Sequence, residues 1–125
     1  MKPQYHFYNN TKFALQGFLA MWRSEKSFRI ELFICLPLII ISLFVPCCLI
    51  EHILLIASMI FIFFAEAINS GIEAVVDLVS PEYHELASKA KDCASAGVFC
   101  AITIAVICWV LVLAKALGIL EFPNL

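Results

Sequence analysis

Glu66, Asn69, Glu73 and Asp77 stand three and four residues apart in an otherwise apolar stretch, FAEAINSGIEAVVDLV. At that spacing side chains share one helix face. With Glu66 as origin and about 100° per residue, Asn69 falls at about −60°, Ser70 at about +40°, Glu73 at about −20° and Asp77 at about +20°. The opposite face is Ile68, Ile72, Val75, Val76 and Val79. Polar groups in so apolar a setting are expensive and mark function by default. Two readings compete, a reaction site and a hydrogen-bonded seam between helices, and the number of groups on one stripe favours the site.

Paired carboxylates do two kinds of chemistry. Their oxygens bind hard divalent cations, and Mg²⁺ usually shares its shell with substrate phosphates. One carboxylate can also act as a general base. Glu66 lies deepest in the apolar run, where desolvation best suits it to proton transfer. Glu73 lies two turns nearer the end of the run, within reach of a nucleotide. Beyond it come Glu82, His84, Glu85, Lys89, Lys91 and Asp92. Lys91 could neutralise phosphate charge, or it could be only a basic residue flanking a membrane span. No GxxxxGK[ST] or GxGxxG occurs, so any nucleotide is held without a P-loop.

The rest of the chain reads as membrane apparatus. Of its 125 residues 63% are hydrophobic and only 14% charged, well to the apolar side of soluble domains. One all-α, integral membrane domain is expected. The net charge of −2 argues against a nucleic-acid partner, which would want a basic face. Residues 32–50 and 93–114 carry no charge and are each long enough for a helical span. A second span is expected over 53–79, with Glu51-His52 as the short connection before it and Pro81 as the breaker after it. Pro37 could bend the first span and Pro46 marks its exit. Residues 1–31 interleave Lys2, Lys12, Arg23, Lys26 and Arg29 with aromatics such as Phe13, Phe18 and Trp22, the pattern of an amphipathic helix in the membrane interface. Glu25 and Arg29 form an i, i+4 pair if helical.

Basic residues cluster in 1–31 and in the 80–92 loop, so both should face the cytoplasm and the C-terminus the periplasm. Three helices cannot shield several carboxylates from lipid, which points to a homo-oligomer. The six cysteines read as small buried hydrophobes, since no CxxC spacing or convergent His suggests a metal.

The stretch EAINSGIEAVVDLVSPEYHELASKAKDCASAGV resembles the signature of the small prokaryotic diacylglycerol kinases: E-x-x-N-[ST]-x-[IL]-E-x-x-[VI]-D, then E-Y-H-x-L, then A-K-D. The likeness continues through GFLAMWRSEKSFRIEL and VICWVL, over residues 13 to 114. It implies a homotrimeric bundle in the bacterial inner membrane, with an N-terminal surface helix and three transmembrane helices. It implies Mg²⁺-dependent transfer of the ATP γ-phosphate to diacylglycerol, giving phosphatidic acid. By the match, Glu66 is the general base and Glu25 and Glu73 are the Mg²⁺ ligands. Asn69, Lys91 and Asp92 belong at the phosphates, and Glu82, Tyr83 and His84 at the nucleotide's far end. Ser27, Arg29, Glu31, Ser95 and Trp109 belong with the lipid. The chain departs from the pattern where an ATP-binding Arg aligns on His6 and a Tyr on Phe13, and where a Gln aligns on Ile30. An undecaprenol kinase of the same fold stays open as the substrate alternative. A small proton- or cation-conducting oligomer stays open as a different class.

Overall fold

Along residues 49–79 the positions that fall every third or fourth residue are buried: Leu55, Ser58, Ile62, Glu66 and Asn69. A matching seam of Val98, Ala101, Ala105, Trp109 and Val112 runs along residues 85–116. Such stripes make two long helices pack along their length. The computed structural model describes residues 7–121 and contains four helices over them: α1 Phe7–Ser24, α2 Lys26–Ser42, α3 Leu49–Val79 and α4 Glu85–Ala116. No strand occurs among the described residues.

α3 and α4 form the antiparallel backbone of the fold. Ala101 and Ala105, both buried, let the two helices approach closely. The core joins them to Cys35 of α2 through Leu55, Met59, Ile62, Trp109 and Val112. An ion pair closes each end of the hairpin. Lys91 Nζ donates to Asp77 Oδ1 at 2.6 Å beside the α3–α4 turn, and Lys115 donates to Glu51 at the other end. Leu55 is fully buried. Leu55→Ala should therefore cost about 2–5 kcal/mol, read as a lowered thermal midpoint of the protein in detergent micelles.

α3 and α4 are each long and apolar enough to cross a membrane. The region expected as a first span over 32–50 is organised differently. α2 has 17 residues and ends at Ser42, with Pro37 accommodated inside it. The connection to α3 is residues 43–48, and Glu51 and His52 lie in the first turns of α3. The physical reason is capping. Cys48 N–H donates to Glu51 Oε2 at 3.3 Å, and the Cys48 side chain accepts from the Glu51 backbone. Glu51 thus starts a helix, where its charge had suggested a loop.

A second difference is the elbow between α1 and α2. Glu25 alone separates them, with extended backbone at φ −120°, ψ 113°. No Gly or Pro marks the break in the sequence. The expected Glu25–Arg29 ion pair does not form. Arg29 Nη1 donates to the carbonyl oxygens of Trp22 at 2.7 Å and Arg23 at 3.4 Å, satisfying the open end of α1. An aromatic chain, Phe18 to Phe28 to Phe63 with centroids 6.3 and 6.0 Å apart, ties α1 and α2 to α3.

Candidate active site

The buried seam of α3 changes character along its length. Beyond Glu51 it is apolar at Leu55, Met59 and Ile62, with the Ser58 hydroxyl turned back onto the Leu55 carbonyl, and then becomes Glu66 and Asn69, 4% and 9% exposed. Glu73 continues it, half-buried. The opposite face stays open, with Ile68, Val75 and Val79 all exposed. The polar stripe is therefore the inward-facing side of α3, in the direction where α1 and α2 supply further groups.

Two of those groups are carboxylates. Glu25, at the elbow, accepts a hydrogen bond from the Ser70 hydroxyl. Glu31, one turn into α2, faces Glu66 closely enough for their carboxyls to interact, and Glu25 acts on the same group. Oε2 of Glu31 and Oδ1 of Asn69 are buried without a hydrogen-bond partner. The Asn69 amide nitrogen donates to Glu73 Oε1 at 3.4 Å. Among the described residues no three acidic, His or Cys groups converge as a ready-made metal cluster does. The carboxylates instead line one wall, and unpaired buried oxygens mark where further partners are needed.

The other end of the stripe meets the α3–α4 turn. Asp77, Glu82, Tyr83, His84, Ser88 and Lys91 surround a hollow of about 230 Å³. His84 caps α4 by accepting Leu86 N–H on Nδ1 at 3.1 Å, which leaves Nε2 as its outward nitrogen. Lys91 lies ahead of the uncharged run. Its hydrogen bond to Asp77 holds its pKa above the ordinary lysine value, with the charges of Asp77 and Glu73 adding to this. A protonated lysine therefore stands beside the turn, near Asp77 and Glu73.

The remaining residues singled out from the sequence scatter. Tyr83 is 85% exposed, and Ser27, Asp92 and Ser95 are exposed too. Phe13 is half-buried on α1, while His6 lies outside the described residues. Trp109 sits in the hydrophobic core with Leu55 and Met59, its indole nitrogen unpaired. The two end ion pairs put Glu66 level with about residue 101, so Trp109 lies roughly 12 Å further along α4. Ser70 is the residue that helical phase placed on the stripe without assigning it a role. Its position was visible, but its partner is 45 residues away in sequence.

The profile of the family described as prokaryotic diacylglycerol kinase matches residues 12–113. The chain is 41% identical over 104 residues to a diacylglycerol kinase of Haemophilus influenzae, covering 83% of this chain and 88% of that one. It is 40% identical over 106 residues to the Escherichia coli K12 diacylglycerol kinase, covering 85% and 87%. With that of Pseudomonas aeruginosa the figures are 38% over 105 residues, covering 84% and 85%. With most of its length matched, a buried carboxylate at the heart of the match and two membrane-length helices to carry it, the chain belongs to the prokaryotic diacylglycerol kinase family, whose activity is ATP-dependent phosphorylation of diacylglycerol to phosphatidic acid.

Proposed function

We propose that the inward stripe of α3 is where phosphate passes from ATP to the lipid, with Glu66 as general base. The observation that carries this reading is Glu66 itself, a carboxylate 4% exposed in an apolar helix. It takes the proton of the lipid hydroxyl as that oxygen forms its bond to the γ-phosphorus. The bond to the β–γ bridging oxygen breaks and ADP leaves. Glu31, facing Glu66, is suited to hold the diacylglycerol hydroxyl region and to keep the base oriented.

The donor set suits a hard divalent cation. Glu25 and Glu73 offer oxygen only, and the unpaired Asn69 Oδ1 adds a buried oxygen beside them. Two protein carboxylates with the rest of the shell from phosphates and water is how Mg²⁺ is usually held. Bound there it neutralises charge building on the β- and γ-phosphates. Lys91 supplies a second positive charge at the phosphates. Its exposed pair with Asp77 is of a kind worth little, so phosphate can take it over. Glu82, Tyr83 and His84 line the hollow beyond, where the nucleoside end fits. Lys91→Ala should lower kcat/KM for ATP about a hundredfold, measured by initial rates at saturating lipid, with the lipid KM little changed.

The exposed positions of Tyr83, Asp92 and Ser95 fit a site completed by another copy, and we take the assembly to be a homotrimer. Each subunit would contribute α1 at the interface and α2, α3 and α4 as spans. The positive-inside pattern puts the α3–α4 turn and the N-terminus in the cytoplasm, where ATP is, with the chain in the bacterial inner membrane. The experiment is a kinase assay of the purified chain with Mg²⁺-ATP, run in parallel on diacylglycerol and undecaprenol. Phosphatidic acid as the dominant product supports the reading. Preferential phosphorylation of undecaprenol reassigns the substrate, and cation flux without transfer overturns the kinase site.

A further inference from the structure

Helical serines and threonines of this chain mostly turn their hydroxyls back onto their own helix. Thr11 donates to the Phe7 carbonyl, Ser24 to Ala20, Ser58 to Leu55 and Thr103 to Phe99. In an apolar setting that back-bond is the default way to satisfy a hydroxyl. Ser70 is different: its hydroxyl donates across to the Glu25 carboxylate. Its neighbour Asn69 donates to Glu73 Oε1 at 3.4 Å. Two adjacent residues of α3 thus each hold one oxygen of a different carboxylate, leaving the other oxygen of each unbonded by them.

The elbow explains why Glu25 needs such a hold. Its backbone is fixed, with Glu25 N donating to Met21 O at 2.9 Å, Arg29 N to Glu25 O at 3.3 Å and Arg29 capping α1. None of these contacts restrains the Glu25 side chain. The space beside it is a hollow of about 510 Å³ lined by Ser24, Ala67, Ser70, Gly71 and Ala74 among others. Among the described residues Ser70 alone gives the Glu25 side chain a hydrogen bond. Groups that hydrogen-bond a ligating carboxylate typically set metal affinity by about 10–100-fold.

We propose that Ser70 is a positioning residue: together with Asn69 it forms a donor pair on α3 that presents Glu25 and Glu73 to one divalent cation. This rests on the reading of Glu25 and Glu73 as cation ligands. Ser70 touches neither substrate nor cation and acts through Glu25.

The test is Mn²⁺ binding, followed by electron paramagnetic resonance, to the full chain in detergent micelles with β,γ-methylene-ATP. Ser70→Ala should weaken Mn²⁺ binding about tenfold. Ser70→Thr, which keeps the hydroxyl and has room in the adjoining hollow, should bind as the wild type does. Ser70→Val has the shape of that variant without its hydroxyl and should bind like Ser70→Ala, so the Thr–Val pair decides even if Ser70→Ala folds poorly. In a Glu25→Gln background Ser70→Ala should cause no further loss. Wild-type Mn²⁺ affinity in Ser70→Ala and Ser70→Val, with Glu25→Gln weakened, overturns the positioning role alone. Unchanged affinity in Glu25→Gln overturns the cation reading and this proposal with it.

Discussion

Replacing Glu66 by Gln should lower kcat by about 10²–10⁴-fold, the usual share of a positioned general base, while nucleotide affinity stays near wild type. The two side chains have the same shape, so the seam of α3 still packs. What is lost is the ability to accept a proton. Glu66 is buried, faces Glu31 and sits at the point where the α3 seam turns from apolar to polar. Of Glu66, Glu73 and Asp77, Glu66 lies nearest the apolar part of α3, where a lipid hydroxyl is expected to reach it first. Initial rates across a range of ATP and diacylglycerol concentrations separate the two quantities. A parallel loss of nucleotide affinity would assign Glu66 to binding.

Glu73→Gln should show the complementary pattern. Metal clamps supply several kcal/mol of transition-state stabilisation, and each loss of about 1.4 kcal/mol is a factor of ten in rate. A hundredfold or greater fall in kcat/KM is expected, on the order of the ~3 kcal/mol that such arithmetic implies. Because a neutral amide remains an oxygen donor, raising Mg²⁺ should recover part of the rate. The same increase should do nothing for Glu66→Gln. Rate against Mg²⁺ concentration for the two variants checks this directly. Recovery of Glu66→Gln by Mg²⁺ would exchange the two roles.

The difference in depth between these two glutamates, Glu66 buried and Glu73 half-buried, was legible in the sequence because it depends on local periodicity. Depth along one helix and phase around it are functions of residue number alone, and both survive folding. The α3–α4 hairpin was legible for a related reason: two long apolar runs flank a Pro-containing turn. The elbow at Glu25 was not legible. Nothing in WRSEKSFRIELF breaks a helix by intrinsic preference. The break is stabilised by Arg29 reaching back to the Trp22 and Arg23 carbonyls and by Phe28, which stacks on Phe18 and meets Phe63 edge-on. Those are tertiary choices, and they leave Glu25 free to meet Ser70, where sequence spacing had paired it with Arg29.

Glu51 failed for the opposite reason. A lone charge after an apolar run reads as the end of a span, but this one is absorbed twice over, by the Cys48 cap and by Lys115. Lys115 is 64 residues further on, so no local pattern could have announced it. Among the other residues the family match supplied, the wall of Glu25, Glu31, Glu66, Asn69 and Glu73 is assembled within one chain. Tyr83, Asp92 and Ser95 are left exposed.

In the proposed reaction, phosphate transfer depends on a proton accepted by Glu66. Single-turnover transfer from [γ-³²P]ATP to diacylglycerol, with wild type and Glu66→Gln both saturated with Mg²⁺-ATP, tests it most directly. Labelled phosphatidic acid is expected from the wild type and almost none from the variant, although the variant holds its nucleotide. Product forming in the variant at the wild-type rate would contradict it.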